Sequence, residues 1–174
     1  MVRATARSKL SVVIESDTGR CARRAAGAKK KGPEIDQAIG RSRGGLTTKI
    51  LATVDALGNP TGFHLTAGQA HDLEGRDVLL KNTPGQAVIA DKAYDAQERV
   101  IEPLLKAGKA VVIPPRSTRK EQRSDDKHLY QARHLIENFF ARLKQYRAIA
   151  TRYDKTTRNF LGALYLAGAM VTFN

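Results

Sequence analysis

The chain holds one cysteine, Cys21, among 174 residues. A single thiol excludes a disulfide framework within the chain and a zinc site built from cysteines, and it points to a reducing, cytoplasmic setting. No apolar run approaches the ~20 residues of a membrane-spanning helix. The nearest, Phe160 to Phe173, is short and rich in Ala and Gly, as a buried helix would be. The basic N-terminus lacks the apolar h-region of a secretory signal. Four histidines, His64, His71, His128 and His134, cluster neither with the cysteine nor with one another, which argues against a histidine metal site. Acids are also scarce, 17 Asp and Glu against 30 Lys and Arg.

What is present follows from that imbalance. A formal net charge of +13 and a pI near 10.2 make a field that attracts polyanions. The charge is clustered. Residues 1–31 hold nine basic residues and two acids, Glu15 and Asp17, and residues 116–158 hold twelve basic residues and five acids. Two basic flanks around a more balanced middle read as a track for a phosphate backbone. The hydrophobic share of 41% supports an ordinary core.

Punctuation and periodicity order the elements. Leu10 to Ile14 reads as a short strand, and the basic stretch Arg20 to Gly45 as loop. Leu46 to Ala56, the turn Leu57 to Pro60 and the strand Gly62 to Thr66 make a hairpin. A helix is expected over Asp72 to Leu80. The fully apolar Ala87 to Ala90 has the character of a central strand. A helix over Asp95 to Ala107 stops at Gly108, and a buried strand over Ala110 to Ile113 ends at Pro114 and Pro115. Arg116 to Asp126 reads as a polar, basic loop. Leu129 to Tyr146 is a helix by the spacing of Leu135, Ile136, Phe139, Phe140 and Leu143, and Arg158 to Thr172 is the last helix. A hairpin followed by alternating helices and strands predicts an α/β fold with a mixed sheet, compatible with a ribonuclease-H-like core.

Two features carry chemistry. Asp91 directly follows the apolar strand Ala87 to Ala90, where α/β folds place their sites, and an unpaired ionised acid is too costly to bury as core. On position alone it is equally a helix cap. Asp72 and Asp95 read as caps or ion-pair partners. On the helix from Leu129, the spacing of Tyr130, Arg133, Glu137 and Lys144 keeps all four on one side, opposite the Phe and Leu face. Arg133 and Glu137 alone would make only an ordinary i, i+4 ion pair. Arg41, Arg43 and Lys49, among Gly40, Gly44 and Gly45, form a second basic group.

The pattern Tyr130-x-x-Arg133-x-x-x-Glu137-x-x-x-x-x-x-Lys144 resembles the signature of the insertion-sequence-four and insertion-sequence-five groups of DDE transposases. Asp126 to Lys144 resembles the insertion-sequence-five family along its length, as do Ala38 to Lys49, Thr66 to Asp72, Ala90 to Asp95, Val112 to Arg116 and Ile149 to Lys155. These words lie in family order over residues 25–165. The resemblance implies a ribonuclease-H-like fold, a single catalytic domain over 1–174, and three metal-binding acids. Asp91 matches the second acid and Glu137 the third. For the first, the family places Asp-Ser-Thr or Asp-Gly-Thr after its first strand, then Arg-Ala-His-x-His-Ala-Ala-Gly-Ala. Counting back from Ala25 to Ala28 puts Glu15 there, whereas Asp17 with Thr18 gives the family residue type two places later. Asp17 is the expectation, with Glu15 as the alternative. Ala22 and Arg24 replace the two family histidines. The family also has a helical N-terminal region that is absent here, which is expected of a downstream frame of a split gene or of a truncated remnant.

The implied reaction is transposition of an insertion sequence: binding of the terminal inverted repeats and target DNA, then metal-dependent strand cleavage and transfer. Two Mg2+ ions about 3.5–4 Å apart would offset charge on the attacking and leaving oxygens, and carboxylates are the ligands magnesium prefers. Asp17, Asp91 and Glu137 are the expected catalytic and metal residues. Lys144 would grip phosphate, Arg133 would orient Glu137 or hold the backbone, Tyr130 would bond phosphate or stack on an end base, and Arg41, Arg43 and Lys49 would add DNA contacts. The expected partners are DNA, a second copy of the chain and an upstream transposase fragment, with no membrane. A catalytically inactive fragment that only binds DNA is the competing expectation.

Overall fold

A computed structural model describes residues 11–26, 37–71, 73–80, 85–118 and 126–173. Among these residues seven strands form one mixed sheet. They are β1 (Ser11–Cys21), β2 (Gly40–Ser42), β3 (Gly45–Val54), β4 (Pro60–Ala67), β5 (Ala87–Ala90), β6 (Ala110–Val112) and β7 (Thr151–Arg152). β1 runs antiparallel to β3, and β3 antiparallel to β4, while β1, β5 and β6 are mutually parallel neighbours. The five longer-range partners therefore lie in the order β4, β3, β1, β5, β6, which is the ribonuclease-H-like arrangement of three antiparallel strands continued by two parallel ones. The short β2 extends the β4 edge of β3, and β7 extends the β5 edge of β1. β5 is buried at all four residues, as its unbroken apolar run requires. β4 is an edge strand, which is where its initial Pro60 costs no ladder hydrogen bond.

Each face of the sheet carries its own core. On one face lie α5 (His134–Leu143) and α7 (Thr157–Phe173). Ile136, Phe139, Phe140 and Leu143 of α5 pack with Phe160, Leu164, Ala167 and Val171 of α7 over Val13, Ile50, Ala52 and Phe63. Both helical sets recur at three- and four-residue spacing, so one stripe of each helix is buried. Phe63 meets Tyr165 edge-on at 5.1 Å and Phe139 at 5.9 Å. On the other face Ile14, Val88, Ala90, Tyr94, Val100, Ile101 and Leu104 form the second cluster.

Several elements differ from expectation. β1 continues past Ile14 through Glu15, Asp17 and Gly19, residues of poor strand propensity. Its ladder with β3, from Val13↔Val54 to Arg20↔Thr47, overrides local preference. The expected loop Arg20 to Gly45 contains a helical turn α1 (Arg23–Ala26) and β2; residues 27–36 lie outside the described residues. Of the expected helix Asp72 to Leu80, only α2 (Arg76–Leu80) is helical, and Asp72 lies outside the described residues. The helix expected over Asp95 to Ala107 is a π-helical turn, Gln97–Ile101, and α3 (Glu102–Lys106), preceded by a 3-10 turn, Lys92–Tyr94. Pro103 has no N–H to give its preceding turn, so the wider turn sits where an α-helical bond would be missing. Gly108, at φ +72°, ends α3 as expected. The long helix begins earlier, as α4 (Lys127–Tyr130) capped by Asp126, passes through a 3-10 turn at Gln131–Arg133, and stops at Leu143. A short α6 (Arg147–Ala150) and β7 follow it. Part of the expected loop Arg116 to Asp126, residues 119–125, lies outside the described residues.

Candidate active site

The site grows from the register of the central strands. Ile14 pairs with Ala90, so Glu15 and Asp91 are the next residues on adjacent parallel strands, and β5 stops there while β1 goes on. Partner strands return to that edge of β1 only at Arg20, with β7. Between them, from Glu15 to Gly19, the edge is open among the described residues, and the Gln131–Arg133 turn and α5 come against it. Val13, Glu15 and Asp17 share one face by strand alternation, the face that packs under α5. A cleft of about 430 Å3 there is lined by Glu15, Ser16, Asp17, Glu137, Phe140, Ala141 and Lys144.

One guanidinium joins the acids. Arg133 Nη2 stands 3.1 Å from Glu15 Oε1 and 2.5 Å from Glu137 Oε1, Nε donates to Glu15 Oε2 at 3.3 Å, and Nη1 is 3.6 Å from Asp91 Oδ1. Nη1 also donates to the Tyr130 hydroxyl at 3.1 Å. Glu15 is the most enclosed of the acids, with 20% of its side chain exposed against 31% for Asp91 and 52% for Glu137. Burial raises the pKa of Glu15. Arg133 opposes that rise, and the like charges of Glu137 and Asp91 add to it, so the net shift is upward despite the ion pair. Burial works to lower the pKa of Arg133, but the Tyr130 hydrogen bond and the Glu15 carboxylate outweigh it, and Arg133 is held above its ordinary value.

Asp17 is not in this group. Its Oδ2 meets Lys144 Nζ at 2.5 Å, and its Oδ1 accepts from the Thr18 N–H. The expected polar stripe thus divides. Tyr130, Arg133 and Glu137 act together, while Lys144 reaches across to β1. Asp91 also accepts from the Lys92 N–H at 2.7 Å, capping the Lys92–Tyr94 turn. Asp95 accepts from the Arg116 N–H, and the Arg116 side chain donates to the carbonyls of Lys92 and Ala93. This clasp beside Asp91 was not legible in residue types.

The second basic group lies along β1. Arg41 and Arg43 line a cleft of about 540 Å3 with Arg20, Arg23, Cys21 and the turn Ser42 to Leu46. Among the described residues none of these four arginines pairs with an acid, and no acid lines the cleft. Its Gly45 has φ +98° and open space around it. Arg20 and Arg23 were missed from sequence; the basic run Arg20 to Arg24 was the available signal. Lys49 does not line this cleft. Its ammonium donates to the Ala70 carbonyl at 2.5 Å. Arg152, also unassigned from sequence, is fully buried and donates to Thr48 Oγ1 and the Asp154 carbonyl, 4.9 Å over the Phe160 ring.

The fold and the acids together define a ribonuclease-H-like domain with carboxylates gathered where its central parallel strands end. Residues 12–172 match the family described as Transposase DDE domain, and the chain belongs to that family. It is 42% identical over 129 residues to a Brucella ovis protein named as a candidate transposase for insertion sequence element IS6501, an alignment covering 72% of this chain and 98% of that one. Among solved structures it is similar to a Mos1 transposase in a paired-end complex with the left transposon end, with 13% identity and a TM-score of 0.40. That alignment covers 96% of this chain, which spans about half (55%) of the solved relative's length.

The family implies a divalent metal, usually magnesium. Carboxylate oxygens are the right donors for it. Their arrangement is not: among the described residues no three acidic or other metal-ligating side chains stand close enough together to hold an ion. The Arg133 guanidinium stands between them instead. No helix among the described residues is long and apolar enough to cross a membrane.

Proposed function

We propose that this chain is the catalytic domain, residues 1–174, of an insertion-sequence transposase of the insertion-sequence-five group. In this reading it binds the terminal inverted repeats and target DNA and carries out metal-dependent strand cleavage and transfer in the cytoplasm. The observation that supports it is the convergence of Glu15, Asp91 and Glu137, from three separate segments, on one arginine beside an open strand edge. An ordinary surface ion pair would need only two of these residues.

Asp91 and Glu137 are the second and third acids in this reading. For the first, Glu15 takes precedence over Asp17, the residue type expected from the family pattern. Glu15 stands beside Asp91 in register and shares its arginine, whereas Lys144 engages Asp17. Lys144 lines the cleft and Tyr130 holds Arg133 beside it, and both would meet phosphate, Lys144 as a point charge. The arginines of the second cleft would hold the duplex backbone. From Glu15 to Arg20 is about 17 Å along an extended strand, so DNA contacted there is about five base pairs from DNA at the acids.

The test is nicking of labelled DNA carrying the element's ends, with magnesium. Cleavage should vanish in Asp91→Ala, Glu137→Ala and Glu15→Gln and survive in Asp17→Asn. Loss in Asp17→Asn with survival in Glu15→Gln would return Asp17 to the first position. No cleavage by the unaltered chain, with salt-sensitive DNA binding intact, would favour the inactive DNA-binding fragment. A Glu where the family has Asp, in this reading, and the absence of a three-ligand group among the described residues are on that side.

A further inference from the structure

We infer that Arg133 is the resting counter-ion of the acidic cluster and that DNA phosphate must draw it away before a divalent ion can enter, so that DNA and metal bind cooperatively. The inference rests on the transposase reading and adds an order of events to it.

The argument is one of charge and geometry. Three carboxylates on adjacent strands and a facing helix repel one another. A metal-free fold needs a cation among them, and the guanidinium fork supplies one with several donors in fixed directions. Arg133 uses all of its nitrogens here: Nε and Nη2 on Glu15, Nη2 on Glu137, Nη1 beside Asp91 and on the Tyr130 hydroxyl. The same contacts exclude a metal ion. Carboxylate oxygens pointed at N–H groups are not free to converge on a cation, and no three-ligand group exists among the described residues. The latch is not walled in. Arg133 is 23% exposed and Glu137 52%, so the guanidinium can swing toward solvent on its flexible stem. The Tyr130 hydroxyl, three residues earlier on the same side, accepts from the Arg133 nitrogen that stands beside Asp91. A phosphate arriving there offers a bidentate acceptor for the same fork. Once the fork is taken, the three acids have lost the cation that joined them, and an ion is drawn in. Coupling of this kind is reciprocal, so bound metal must strengthen DNA binding by the same factor.

The experiment is Mn2+ binding, read by electron paramagnetic resonance of the free ion, for the full chain alone and with a saturating duplex carrying the terminal inverted repeat. Ions held by DNA itself are subtracted with the Asp91→Asn/Glu137→Gln protein on the same duplex. For the unaltered chain, DNA should tighten Mn2+ binding by about tenfold or more. Arg133→Ala should bind Mn2+ tightly without DNA and gain nothing from DNA. Because Arg133→Ala leaves three acids unneutralised and can fail to fold in the absence of metal, Arg133→Lys serves as a second variant. It keeps the charge but loses the fork, and should show weaker coupling and tighter metal binding than the unaltered chain when DNA is absent. Equal Mn2+ affinity without DNA in all three proteins, or equal enhancement by DNA in all three, overturns the inference and leaves the transposase reading intact. No Mn2+ bound by any of them, with or without DNA, overturns the metal reading of the acids and the inference with it.

Discussion

The cleft of arginines on β1 and β2 makes a quantitative claim about DNA binding. The perturbation is Arg41→Ala/Arg43→Ala. Both side chains line the cleft, neither pairs with an acid among the described residues, and both flank an open turn on a surface strand, so their loss removes charge without disturbing the core. If each contacts one phosphate, each accounts for about 0.9 in the slope of log affinity against log salt concentration, and the pair for about 1.8. Extrapolated to a common affinity near 1 M, the double variant should bind about 60-fold more weakly at 0.1 M salt and about 9-fold more weakly at 0.3 M. The assay is fluorescence anisotropy on a labelled duplex across that range, with Arg41→Lys/Arg43→Lys as the control that keeps charge and should keep the slope. Parallel lines for the unaltered chain and the alanine variant would refute the reasoning, because a loss independent of salt is not the loss of phosphate contacts.

Three further outcomes test the packing. Phe160 is fully buried at the junction of α7 and the sheet and lies under Arg152; Phe160→Ala should cost about 3–5 kcal/mol, read as a shift of the urea midpoint. Gly75 has φ +82°, and a Cβ there would stand 2.2 Å from His64 Cδ2; Gly75→Ala should lower the melting temperature, and an unchanged value would mean that the His64 ring does not pack as described. Burial lowers the pKa of His64 below its ordinary 6.5. The folded chain then holds fewer protons than the unfolded one, so this contribution to stability is full above pH 6.5 and fades as pH falls through the lowered value. His64→Gln should flatten that part of the stability profile, and an unaltered slope would count against the burial argument.

Much of this was legible in residue order. The buried strand Ala87–Ala90, the hairpin about Gly58 and the last helix are strong local signals: an unbroken apolar run, a turn sequence and a helical stripe. They appear where expected. Asp91 and Glu137 could be picked out because the words around them resemble the family's motifs; position and spacing alone left one as a cap and the other as half of an ordinary ion pair. Other features depend on neighbours far along the chain. β1 is strand through Asp17 and Gly19 only because β3 pairs with it, and the π-helical turn before Pro103 reflects a missing donor that periodicity does not register.

The first position of the acidic cluster shows the division most clearly. Sequence by itself determined a basic α/β domain with acids after a central strand and on a helix, because composition and alternation are properties of the chain read locally, and its motifs carried the resemblance to transposases. For the first acid it favoured Asp17, by residue type, over Glu15, two residues away on the same strand face. Only the tertiary structure shows what each of them meets, since the Ile14↔Ala90 register puts Glu15 beside Asp91 and within reach of Arg133, and Asp17 is engaged by Lys144. That outcome follows from where two strands pair and where a helix crosses them, and contacts across more than a hundred residues are decided by packing rather than by any local run of sequence.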